Sequence, residues 1–411
     1  MITGTADCGL RYAIRKGGTS VGYCALSIRC GTRDEAGFHS GIAHFTEHTL
    51  FKGTARKSAK VIGGYLDRLG GELNAYTTKE EIVLHATVLK EDLPKAAGLL
   101  FELATEATFP EKEIETEKGV VIDEIQSYKD SPADEVYDRF EEALYEGHPL
   151  GQPILGTPAS VRKISSEELR RFVRQHFTPD RMAFTLVADI PESKMERDVR
   201  HLAAKFFPAT LDGLSSSHTE PSGNISPAHF DRTVNKRNHE ANAVIGGPAP
   251  SLYDGKDRIA AVLLANIIAG PASNSILNSI LRERNGWVYG VECGYTQYRD
   301  TGIMAISLGC DKDNLEKCFN AIRKAIGELQ DKPLSDRKLK AAKKQLLGQL
   351  AIGSESGEAQ CLSMGKSLLA FGRVASSAEN KVAIEAVTAA DLQALASRIF
   401  SPSNLSRLVY L

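Results

Sequence analysis

The chain has 411 residues, 25% of them charged and 42% hydrophobic, with a formal net charge of −2. That length exceeds one ordinary hydrophobic core, so two or more domains are expected. The near balance of charge gives no electrostatic case for nucleic acid or an anionic membrane, and no apolar run of roughly eighteen residues is present to cross a bilayer.

The opening residues, Met1 to Cys8, show no basic stretch followed by an apolar one, so no signal peptide is expected. Cys8, Cys24, Cys30, Cys293, Cys310, Cys318 and Cys361 are an odd number without a C-x-x-C pair. They read as reduced, structural thiols in a cytoplasmic setting.

The first segment with chemistry in it runs from Gly41 to Thr54, GIAHFTEHTLFKGT. It places His44, Glu47 and His48 at i, i+3 and i+4, on one face of a helix. Two imidazoles one turn apart can ligate one Zn²⁺, and a carboxylate between them can take a proton from water without binding the metal. This is the H-x-x-E-H order of the inverzincins. The alternative is a helix carrying two ordinary histidines.

A helix is predicted over Ser58 to Leu69, followed by a Gly-Gly turn and strand-like sequence from Leu69 to Leu89, whose second run from Ile82 is mostly apolar. Helices are next predicted over Leu93 to Thr108 and from Pro110 to Gln126. On the second of these, Glu117 and Glu124 lie seven apart, two turns along the same face. A catalytic zinc wants three protein ligands, so an acid must arrive from a second element, and Glu124 is the candidate. Further helices are predicted over Ala133 to Tyr145 and Ser166 to His176.

Between Pro208 and Pro227 the chain turns to Ser, Gly, Pro and Asn, which is linker chemistry. The expected division is a metal-binding domain over 1–210, a linker over 211–228 and a metal-free domain over 229–411. Beyond the linker, helices are predicted over Asp257 to Ile268 and Leu315 to Gln330, with consecutive strands from Tyr289 to Cys310. Such strand runs favour antiparallel pairing, hence an α+β fold. A faint internal repeat sets Gly70-Gly71 through Glu124 against Asn285-Gly286 through Gln349. In that register Glu117 faces Ala342 and Glu124 faces Gln349, and no second H-x-x-E-H exists.

Taken together, the Gly41 to Thr54 segment and the later Glu117 and Glu124 resemble the M16 (pitrilysin-type, inverzincin) metallopeptidases, in the half-length form of the mitochondrial processing peptidase and its bacterial relatives. The resemblance implies that His44, His48 and Glu124 bind one zinc per chain, that Glu47 is the general base and that Glu117 supports the ligands from behind. Thr46 and Thr49 depart from the larger apolar residues usual there, which touches helix packing and not the ligands. By the same resemblance Asn74 and Ala75 sit on an edge strand to which a peptide adds by β-augmentation. In the far half, Arg282 and Tyr289 match a family pair that holds the substrate backbone and the polarised carbonyl.

What the family further implies is two similar α+β domains, each a mainly antiparallel sheet packed with helices, in a homodimer or in a heterodimer with a related chain. The dimer would form a chamber open to peptides. The function expected is zinc-dependent endopeptidase. Two other readings are a non-catalytic partner or structural subunit of an M16-type heterodimer and a zinc hydrolase of non-peptide amides.

Overall fold

The computed structural model describes residues 1–208, 225–236 and 238–411. Two six- and five-stranded sheets with helices against them give a mixed α+β fold. The first sheet contains β1 (Ile2–Thr5), β2 (Arg11–Lys16), β3 (Val21–Ile28), β4 (Glu72–Thr77), β5 (Ile82–Leu89) and β6 (Met182–Ala188), in the order β1-β2-β6-β3-β5-β4. The second contains β7 (Asp231–Val234), β8 (Ala241–Ala249), β9 (Val288–Gln297), β10 (Gly302–Cys310) and β11 (Ser406–Tyr410), in the order β7-β11-β8-β10-β9.

Setting β1 aside, the two orders are the same permutation of equivalent strands. Each sheet has one parallel pair, β2 with β6 and β7 with β11, and is otherwise antiparallel. The repeat expected from sequence is therefore present as topology. Strand runs are apolar where helices cover both faces: Met182–Ala188 is buried at every position.

The chain divides into two compact units that are not continuous in sequence. Residues 1–126, 152–208 and Ile352–Ala375 form the first; Ser127–Gly151, the described part of 225–351 and Ser376–Leu411 form the second. The helix Gly357–Phe371 thus packs on β2, β3 and β6 of the first unit, and Pro132–Leu144 packs on β8 and β11 of the second. Set against the expected split into 1–210 and 229–411, each unit takes one helix from the other half of the sequence. Most of the expected linker, 211–224, lies outside the described residues.

The predicted helices appear as Leu93–Glu106, Glu111–Lys129, Pro132–Leu144, Ser166–His176, Gly255–Ala269 and Leu315–Asp331. Ser58 to Leu69 is the exception. Gly63 and Gly64 interrupt it, leaving a short helix Ala59–Gly63 and one 3-10 turn Asp67–Leu69. All seven cysteines are free thiols and six are buried. Among the described residues no helix is long and apolar enough to cross a membrane.

Candidate metal centre

His44 and His48 sit on the helix Ile42–Leu50 of the first unit, whose apolar side, Ile42, Phe45 and Leu50, is fully buried. The helix begins at Gly41, in the left-handed region at φ +88°, where a Cβ would stand 2.7 Å from Leu155 O. A glycine cannot cap with a side chain, and Glu35 takes that task from six residues upstream. Its buried carboxylate accepts from Gly41 N–H at 2.9 Å and Ala43 N–H at 3.0 Å. Thr49 turns its hydroxyl back to Phe45 O at 2.7 Å, whereas the buried Thr46 hydroxyl has no hydrogen-bond partner.

Glu117 and Glu124 come from Glu111–Lys129, packed through Ile114, Val121 and Ile125. The seven-residue spacing puts both carboxylates on the side facing the imidazoles. Glu124 Oε2 stands 3.7 Å from His44 Nε2 and 3.4 Å from His48 Nε2. One ligand atom from each of His44, His48 and Glu124 lies within 4.8 Å of the others, a group that could hold a metal ion. Glu124 Oε2 is buried without a hydrogen bond, an anionic oxygen aimed between two imidazole nitrogens. Three lone-pair donors converging with an unsatisfied oxygen are what a divalent cation with two His and one carboxylate ligand requires, so the residues fit zinc.

Behind the donors, His48 Nδ1–H donates to Glu117 Oε1 at 2.9 Å, which turns Nε2 toward Glu124. Lys52 Nζ meets the other Glu117 oxygen at 2.6 Å. Burial would lower His48, but its bond to Glu117 and the nearby Glu124 carboxylate carry it up to about 9. His44 goes the other way, to about 4, through burial and the neighbouring His48, with Glu124 opposing. Burial also pushes Glu117 upward, and the contacts with His48 and Lys52 outweigh it, holding that carboxyl below the usual range.

Residues 12–158 match the family model of insulinase (peptidase family M16), and 163–346 match that of the peptidase M16 inactive domain. The chain belongs to peptidase family M16. An uncharacterized zinc protease of Bacillus subtilis is 31% identical over 384 residues, covering 93% of this chain and 91% of that protein. Another from Streptomyces coelicolor is 29% identical, covering 89% and 80%. Among solved structures, a protease from Helicobacter pylori superposes with a TM-score of 0.88 at 20% identity, covering 100% of this chain and 98% of the other. A Pseudomonas fluorescens structure titled as a peptidase M16 inactive domain gives 0.85 at 18%, covering 100% and 97%. At those identities the structures establish the two-domain M16 fold alone.

Within this M16 chain, Glu47 lies beside the imidazoles and accepts from Thr77 Oγ1 at 2.5 Å. Burial raises its carboxyl above the ordinary range, with the Thr77 bond and His48 opposing. Asn74 and Ala75 lie on β4, the edge of the first sheet, paired on one side only, with β5. Their side chains alternate: Ala75 packs toward the core with Leu73, and Asn74 is exposed on the other face. Arg282 and Tyr289 belong to the second unit. Arg282 is exposed in the π-helical Asn278–Arg284, and Tyr289, 62% exposed on edge strand β9, donates to Asp311 Oδ1 at 2.9 Å.

Sequence reasoning passed over Glu35, Lys52 and Thr77. Only Thr77 left a usable signal: it lies two residues beyond Ala75, on the same strand face.

Proposed function

We propose that this chain is a zinc-dependent endopeptidase acting on peptides or unfolded segments. The convergence of His44, His48 and Glu124 around a buried oxygen without a hydrogen bond is the observation that carries the reading. In it those three residues hold one zinc per chain and Glu117 keeps His48 oriented. Zinc bound there would supply Lewis acidity, toward a water and toward the scissile carbonyl. Glu47 is the general base, taking the proton of the attacking water and returning it to the departing amine. A carboxyl raised by burial fits a group that must both accept and release that proton.

The substrate adds as a strand along the free edge of β4 beside Asn74 and Ala75, held through its backbone with little regard to sequence. Arg282 and Tyr289 steady the substrate backbone and donate to the developing oxyanion. The assembly proposed is a homodimer forming a peptide chamber, in which the second copy supplies this pair; a heterodimer with a related chain is the other arrangement. Seven free thiols accord with work in the cytoplasm.

The test is a mixed peptide library presented to the purified protein with and without a chelator. Cleavage lost on chelation and restored by zinc supports the reading, and silence under zinc loading selects the non-catalytic subunit. Glu47→Gln is expected to retain zinc and peptide while turnover falls by about 10²–10⁴-fold. Normal cleavage by that variant would show that Glu47 is not the base.

A further inference from the structure

Two threonines adjoin at the end of β4 and their hydroxyls behave differently. Thr78 serves its own turn, accepting from Glu80 N–H at 3.2 Å and Glu81 N–H at 3.0 Å and donating to Glu81 O at 3.3 Å. Thr77 instead reaches across to the helix Ile42–Leu50 and gives its one proton to Glu47 Oε2 at 2.5 Å. That length is what a hydroxyl donating to a carboxylate shows. The other oxygen, Glu47 Oε1, makes no hydrogen bond among the described residues.

We infer that Thr77 is a positioning residue for the Glu47 carboxylate, so that one strand both receives the peptide and aims the base. This rests on the peptidase reading above. A glutamate on a helix has three rotatable side-chain bonds, and burial alone does not choose among its rotamers. Thr77 is β-branched and stiff at χ1, and its height along the strand is fixed by its register with Ile82. Leu73 and Ala75, which alternate onto the same strand face, are packed against the core and fix the plane from which Thr77 reaches. With Oε2 tied, the free oxygen has one orientation from which to take a proton. A substrate strand laid along β4 is then placed by the backbone that also places the base.

The test compares Thr77→Val, which keeps shape and loses the hydroxyl, with Thr77→Ser, which keeps the hydroxyl. In the zinc-loaded protein Thr77→Val is expected to lower kcat about 10–100-fold, with KM and zinc affinity within about threefold of the parent. Thr77→Ser is expected to recover kcat to within about threefold. Crystals of the metal-free proteins supply a readout independent of activity: Glu47 in one rotamer in the parent and in Thr77→Ser, and in several in Thr77→Val. An unchanged kcat with a single Glu47 rotamer in Thr77→Val overturns the inference. So does a Thr77→Ser variant as slow as Thr77→Val, or a Thr77→Val variant that loses zinc in step with activity. If the parent itself cleaves nothing, the peptidase reading fails and the Glu47 rotamers still decide the positioning claim.

Discussion

Replacing Glu117 by Ala isolates what the residue behind His48 does for metal affinity. Glu117 is 5% exposed and divides its two oxygens between His48 Nδ1 at 2.9 Å and Lys52 Nζ at 2.6 Å. The first bond keeps a proton on Nδ1 and turns Nε2 toward Glu124, where a bound metal would take the place of any proton on that nitrogen. Without it the imidazole is free to take the other tautomer or rotate, and the charge that raises its ligand strength is gone. A hydrogen bond to a charged group contributes about 1.5–3 kcal/mol, and removing such an outer partner weakens metal binding about 10–100-fold. That range corresponds to about 1.4–2.7 kcal/mol, so the two estimates agree. The Lys52 contact is a different matter, because Lys52 meets the other Glu117 oxygen and does not touch the imidazole. Lys52→Met should therefore leave zinc affinity within about threefold, since the His48 bond survives.

Chelator competition measures the zinc dissociation constant directly. Thermal unfolding at fixed free zinc gives an independent value, because zinc-induced stabilisation should shrink by about the same 1.4–2.7 kcal/mol. A Glu117→Ala protein that stays folded and binds zinc within twofold of the parent refutes the reasoning.

His176 is buried with Nδ1 accepting from Arg181 Nη1 at 2.9 Å, and burial, reinforced by Arg181, lowers it from 6.5 to about 4. The folded state then binds fewer protons than the unfolded chain between those values, so stability is complete above pH 6.5 and is lost as pH falls toward 4. Between pH 7.5 and pH 5 this residue should cost about 2 kcal/mol in denaturant unfolding, and His176→Gln should remove that part of the slope. Glu35→Ala leaves the Gly41 and Ala43 amides of the metal-motif helix without acceptors. Unfolding free energy should drop by about 2–4 kcal/mol, and a loss under about 0.5 kcal/mol would show that water replaces the cap.

The parts of the centre that were legible in sequence are those set by one helical period. His44, Glu47 and His48 could share a face only on a helix, and Glu117 and Glu124 could share one only two turns apart. That the two helices meet was carried by the family resemblance, because spacing within a helix says nothing of its neighbour. Thr77 and Thr78 show the same limit in miniature: identical residues, adjacent, one facing the helix Ile42–Leu50 and the other hydrogen-bonded within its own turn. Glu35 stayed hidden because it is not the residue next to the helix. An N-cap glycine offers no sequence sign that a distant acid completes the cap. The exchange of Pro132–Leu144 and Gly357–Phe371 between units was equally unreadable, since an apolar helix face does not specify which sheet it covers.

The repeat explains why one unit carries the metal motif and the other does not, at the level of donors and acceptors. In the register read from sequence, Gln349 takes the place of Glu124 and Ala342 that of Glu117. The structure gives Gln349 a partner on the helix Gly255–Ala269, Asn266, whose Nδ2–H donates to Gln349 Oε1 at 2.6 Å. An amide pair brings its own proton and closes on itself. The first unit instead turns two imidazole nitrogens toward one carboxylate oxygen that is buried without a hydrogen bond. The same fold thus sets a group that could hold a cation where the sequence supplies two histidines and a glutamate, and a closed amide pair where it supplies Gln349 and Asn266.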